Sequence, residues 1–116
     1  MGGKASVLVV EDDASLRMLY RLNLEFEDFE VADVATVAEA RSAVSARRPG
    51  LVLLDAHLEG ESTDDLLDEL RAAGIPVVVA TGSTDLERYR DRADDVLAKP
   101  FRPADLVAVV QRLTVR

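Results

Sequence analysis

Five residues of this chain could do chemistry as a set: Glu11, Asp12, Asp55, Thr81 and Lys99. Glu11 and Asp12 follow the apolar run Val7 to Val10, and Asp55 follows Leu51 to Leu54. Thr81 follows Val77 to Ala80, and Lys99 follows Val96 to Ala98. Three carboxylates, a hydroxyl and an amine arriving from separate strands suit a Mg-assisted phosphoryl acceptor. Acids drawn together repel one another unless a cation sits among them, and a phosphoryl donor brings further negative charge. A divalent ion resolves both problems, and Mg²⁺ favours one or two carboxylates together with phosphate oxygen and retained waters. Phosphoryl transfer then asks little covalent work beyond an in-line nucleophile and neutralised equatorial oxygens.

Positioning such a set requires a sheet whose strands all end on one side. The four runs above, with a fifth at Val31 to Val34, are expected to be its strands. Between them lie segments of helical spacing, so strand and helix alternate from end to end. The first helix is expected over about 14–27, with Leu16, Leu19, Tyr20 and Phe26 on one broad face and Asp13 as its cap. The second spans about 37–46 before Pro49 and Gly50, and the third about 64–73, ending at Gly74. A short, polar fourth covers about 84–92, anchored by Leu86 and Tyr89, and the fifth starts near Pro103 with Leu106, Val109, Val110 and Leu113 as its stripe. Strands one, three, four and five are nearly all apolar, as strands covered on both faces are, whereas the second alternates like an edge. The expected fold class is therefore α/β: a single doubly wound five-stranded parallel sheet with five helices. Ligands in such folds sit beyond the carboxyl ends of the strands, where all five chemical residues fall.

Each feature also has a plain structural reading. Glu11, Asp12 and Asp13 make a solvated turn, Asp55 a turn cap, Thr81-Gly82 a strand-ending turn, and Lys99-Pro100 a surface loop. For Asp13 capping is preferred, and for Asp12 metal binding. What favours chemistry is the coincidence of all of them at one sheet end.

Composition narrows the classes. With 116 residues, 48% hydrophobic and 31% charged, one soluble domain with a real core is expected. The absence of cysteine excludes disulfides and thiolate metal sites. No apolar stretch approaches the ~20 residues of a bilayer span, and no secretory leader is evident, so a cytoplasmic location without membrane association is expected. Residues 1–5 are expected to be a flexible start despite their loose fit to a myristoylation pattern. A net charge of −8 repels a phosphate backbone, which argues for protein partners and against nucleic-acid binding by this domain. No linker interrupts the chain, so any output domain is expected to lie outside it.

Taken together, Val9-Val10-Glu11-Asp12-Asp13, Leu53-Leu54-Asp55, Ala80-Thr81-Gly82 and Lys99-Pro100-Phe101 resemble the receiver domains of two-component response regulators. The resemblance covers essentially residues 1–116 as one receiver domain. It implies a flavodoxin-like (CheY-like) strand order 2-1-3-4-5 and a cis Lys99-Pro100 bond. It also implies that Asp55 takes a phosphoryl group from phosphohistidine on a sensor histidine kinase or a histidine phosphotransfer protein. By the same resemblance Asp12 and Asp55 ligate Mg²⁺ directly, Glu11 acts mostly through water, and the main-chain carbonyl of His57 fills another position. Lys99 and Thr81 would meet phosphoryl oxygens, and His57 and Ser83 would set the lifetime of the acyl phosphate. Such a domain is a signalling switch rather than an enzyme acting on other substrates. Its further partners would be a downstream target or output domain and, on activation, a second copy.

Several residues depart from that family's commoner pattern. Val96 stands at the usual aromatic position of the fifth strand, so the fourth helix itself is expected to shift. Thr81 and Lys99 are closer in sequence than usual, which, with Ala80-Thr81-Gly82, resembles a subgroup with a short fourth helix. Glu59 and Thr63 stand where many relatives have proline and glycine, changes expected to affect partner choice more than acceptor chemistry. A nucleotide enzyme is disfavoured because Glu11-Asp12-Asp13 occupies the turn where a glycine-rich phosphate loop would sit. A Mg-dependent aspartyl phosphatase would need a general acid two residues after Asp55, and His57 is there. A pseudo-receiver acting only through protein contacts is the third rival, set against an intact acceptor set.

Overall fold

The computed structural model describes residues 3–115. Met1, Gly2, Arg116 and the side chain of Ser83 lie outside the described residues, so the expected flexible start falls partly outside them. Strand and helix alternate as β1 (Ser6–Val10), α1 (Ala14–Phe26), β2 (Glu30–Val34), α2 (Val37–Ala46), β3 (Leu51–Asp55), α3 (Asp64–Ala72), β4 (Val77–Gly82), a 3-10 turn (Ser83–Asp85), α4 (Leu86–Arg90), β5 (Asp95–Lys99) and α5 (Pro103–Thr114). The sheet is parallel throughout, in the order β2-β1-β3-β4-β5.

Two apolar layers cover the sheet because successive side chains along a strand point to opposite faces. Leu8, Val10, Val52, Leu54, Val77 and Val79 pack with α2, α3 and Tyr89 of α4 on one side. Val7, Val9, Leu51, Leu53, Val78 and Ala80 pack with α1 and α5 on the other. Interior strands buried on both faces are continuous apolar runs, and β1, β3 and β4 have that character.

Two sequence expectations need correction. β5, whose apolar run reads as covered on both faces, lies at the edge as the order 2-1-3-4-5 implies and is only half buried along most of its length; its apolar core Val96-Leu97-Ala98 is too short to distinguish an edge from an interior strand. Charges line both edges and are paired, Glu30 with Arg47, Asp33 with Arg17 and Arg21, and Asp95 with Arg112. On α1, the buried residues are Tyr20 and Leu24 with Leu16 half buried, whereas Leu19 and Phe26 are exposed. Leu16, Tyr20 and Leu24 follow one four-residue ridge onto the sheet, and Leu19 and Phe26 lie on its flank, beyond the sheet's reach. Phe29, after the helix, is buried among the α1-side apolar residues. Phe26 is 87% exposed and joins Met18, Leu19 and Leu22 in an apolar strip on the outer surface of α1.

Helix ends follow local chemistry. Asp13 caps α1 by accepting from Ser15 N at 2.9 Å and Leu16 N at 3.0 Å. Gly74, at φ +76°, turns the chain out of α3, with Ile75 N donating to Leu70 O at 3.0 Å. The α4 helix has only five residues, so it cannot hold itself by backbone bonds alone. Buried Tyr89 and ion pairs from Asp64 and Asp68 of α3 to Arg88 and Arg92 fix it in place.

Candidate functional site: the acidic pocket at the sheet's carboxyl end

Strand register brings the five residues together. Val10 lies beside Leu54, so Glu11 and Asp55 follow on adjacent strands. Asp55 lies beside Ala80, one residue before Thr81, and Gly82 lies beside Lys99. Glu11, Asp55 and Thr81 are buried, whereas Asp12 is exposed at the rim.

Lys99 reaches across β4 to the two buried acids. Its Nζ lies 3.1 Å from Glu11 Oε1 and 3.2 Å from Asp55 Oδ2. The second oxygen of Asp55 accepts the main-chain N–H of His57 at 3.0 Å, and the second oxygen of Glu11 accepts that of Asp13 at 3.1 Å. Burial pushes the Glu11 carboxyl above its ordinary value, aided by the charge of Asp55 and opposed by the Asp13 N–H and Lys99. Burial pulls the Lys99 ammonium down, but Glu11 and Asp55 outweigh it and leave this group raised. Asp12 moves the other way, held low first by the Glu59 N–H on its Oδ2 at 2.8 Å.

The carboxylates are arranged for a cation. Glu11, Asp12 and Asp55 each offer an oxygen within 4.8 Å of the others. A purely hard-oxygen donor set with one acid at the rim and two deeper fits Mg²⁺. One lysine faces two buried acids, so the pocket retains negative charge that a divalent ion would offset.

All five residues of the predicted set converge. His57 is also present, with its imidazole Nε2 3.1 Å from Asp85 Oδ2 and 3.3 Å from Thr81 Oγ1. The Lys99-Pro100 bond is cis. Both loop residues that depart from the commoner pattern make contacts beside the site. The Glu59 N–H, which a proline could not supply, binds Asp12, and the buried Thr63 hydroxyl donates to the carbonyl of Ala56, next to Asp55.

Two side chains went unnoticed in the sequence. Arg17 donates to the Glu11 carbonyl at 2.9 Å and to Asp33 at 3.0 Å, holding the β1–α1 turn against β2. Asp85 meets His57 from the turn after β4. Neither carries a spacing signal, since both act through tertiary contacts between separate elements.

This sheet order and this acidic pocket define a receiver domain. The family model for the response regulator receiver domain matches residues 7–111, and the chain belongs to that family. It is 41% identical over 110 residues to the DNA-binding response regulator MtrA of Mycobacterium tuberculosis, covering 90% of this chain and 48% of that protein. It is 33% identical over 116 residues to the phosphate regulon transcriptional regulatory protein PhoB of Pseudomonas aeruginosa, covering 93% and 50%. The chain thus spans about half the length of these relatives. Among solved structures, it resembles the receiver domain of NtrX from Brucella abortus with a TM-score of 0.86 and 31% identity, over 93% of this chain and 97% of that one. The chain is a response regulator receiver domain of two-component signalling, and among the described residues no helix is long and apolar enough to cross a membrane.

Proposed function

We propose that Asp55 is the phosphoryl acceptor of this receiver and that Mg²⁺ is its cofactor, held by Glu11, Asp12, Asp55 and the main-chain carbonyl of His57. The observation that carries this reading is the position of the Lys99 ammonium between Glu11 and Asp55. A carboxylate oxygen of Asp55 attacks phosphorus of a phosphohistidine; the P–O bond forms as the P–N bond breaks, and the imidazole leaves with the electron pair. Lys99 and Thr81 then meet two of the phosphoryl oxygens, one by charge and one by hydroxyl donation. When bound by Glu11, Asp12, Asp55 and the His57 carbonyl, Mg²⁺ would supply charge neutralisation to the transferring phosphoryl group. Water attacking phosphorus later breaks the same P–O bond, returning the Asp55 carboxylate and inorganic phosphate. His57 and Ser83 are the candidates for setting that lifetime.

The donor is a sensor histidine kinase or a histidine phosphotransfer protein, and the modified domain acts on a downstream protein or an output domain in the cytoplasm. No nucleic acid contact is assigned to this domain, in keeping with its charge of −8. Replacing the single charge of the Asp55 carboxylate with an acyl phosphate of about −1.5 to −2, beside Glu11, is the switching force. With Val96 on β5, the movable element is α4 and the turn before it.

The test is incubation with Mg²⁺ and acetyl phosphate, read by intact mass. Wild type gains one phosphoryl group, and Asp55→Ala gains none. An unmodified wild type, or an equal gain in both, overturns the assignment. Size exclusion of the same samples tests for a homodimer on activation, and the decay rates of His57→Ala and Ser83→Ala test their role in lifetime.

A further inference from the structure

His57 leaves the sheet end by way of its backbone, which binds Asp55, while its ring crosses to β4 and the turn beyond. A single nitrogen, Nε2, faces both Asp85 Oδ2 at 3.1 Å and Thr81 Oγ1 at 3.3 Å. An ionised carboxylate only accepts, so Nε2 must carry the hydrogen. It cannot then accept from the threonine as well, and Thr81 Oγ1 becomes the second acceptor of a shared N–H. That leaves the threonine's own hydrogen free for another acceptor, and a hydroxyl whose oxygen already accepts is the stronger donor.

We propose that Asp85 and the imidazole of His57 are positioning residues that orient the Thr81 hydroxyl as a donor to an anion carried on Asp55. The inference rests on the acceptor assignment above and adds a residue to it. Asp85 is delivered by the one-turn segment Ser83–Asp85 directly after β4, so the support comes from the same turn that Thr81 leads into. The side chains of His57 and Asp85 are 59% and 41% exposed, and pairs so wet add little to stability. An effect on anion affinity is therefore separable from one on folding.

The test uses beryllofluoride with Mg²⁺ as the phosphoryl mimic, at one fixed pH, with affinity from fluorine NMR and melting temperature measured alongside. Wild type binds. Asp85→Ala weakens binding by about three- to tenfold, the scale of one neutral hydrogen bond, with its melting temperature nearly unchanged. Asp85→Asn, which keeps an acceptor oxygen toward His57, restores it. In a Thr81→Ala background Asp85→Ala adds nothing further, because the route runs through the threonine. Undiminished affinity in Asp85→Ala, or an equal loss with and without Thr81, overturns the proposal. Failure of wild type to bind, or binding by Asp55→Ala as tight as wild type, overturns the acceptor assignment and this inference with it.

Discussion

The main-chain N–H of Glu59 is bonded to the carboxylate of Asp12 at 2.8 Å, tying the β3–α3 loop to the rim of the acidic pocket. This contact is the first cause of Asp12's lowered pKa, so loop and carboxylate each hold the other in place. Because proline has no N–H, receivers with proline at this position lack the bond.

Glu59→Pro is expected to raise the Asp12 pKa back toward its ordinary value of 3.8. Carbonyl-detected NMR titration measures it directly. An Asp12 that titrates as before would mean that something other than this N–H holds the carboxylate down.

Stability should depend on pH through Glu11 with an inverted sign. Its folded pKa is raised, so the fold binds that proton more tightly than the unfolded chain does. As pH rises from the ordinary value of 4.5 through the folded pKa, this group withdraws stability. Asp12, with a lowered pKa, contributes above 3.8 and loses its contribution as pH falls through its folded value. Lys99, raised, contributes below 10.5 and loses its share as pH rises through its folded pKa. Urea midpoints of wild type should therefore climb on acidification from neutrality toward the carboxylate range, and Glu11→Gln should flatten the climb. Parallel curves for the two proteins would count against a buried, proton-hungry Glu11.

The corrected face of α1 makes a paired expectation. Leu24→Ala, fully inside the α1-side layer, should cost about 2–5 kcal/mol in chemical unfolding. Two residues on, Phe26→Ser should change stability by no more than about 0.5 kcal/mol. Comparable losses would mean that Phe26 is covered in the folded protein.

For α4, Tyr89→Ala should cost about 3–5 kcal/mol because it empties the main apolar anchor of a five-residue helix. Arg92→Ala removes pairs to Asp64 and Asp68 and should cost about 1 kcal/mol or less. Its clearer signature is faster amide exchange over 86–90 with the rest of the chain unchanged. Exchange accelerated everywhere would place the network in the global fold instead.

Strand ends were the most legible part of the sequence. A polar residue directly after four of the five apolar runs announced both those runs and the pocket, and parallel register carried Glu11, Asp55, Thr81 and Lys99 to one place. The short α4 was legible from the spacing of Thr81 and Lys99 set against the commoner pattern of the family it resembles. What escaped was tertiary. Helical spacing placed Phe26 within a broad apolar face, but only the width of the sheet decides how much of that face is covered. The short apolar run of β5 resembles an interior strand, and its place at the edge was legible only through the family resemblance, which implied the order 2-1-3-4-5. Arg17, Asp85 and the Glu59 N–H act across gaps of 6 to 47 positions, which no local pattern encodes.

The paired charges on β2 and β5 have a consequence for how this protein behaves when concentrated. Unpaired strand borders invite a stranger's backbone to add on, and salt-bridged acids along both borders make that addition costly. Growth of the sheet from one molecule into the next is thereby discouraged at each side.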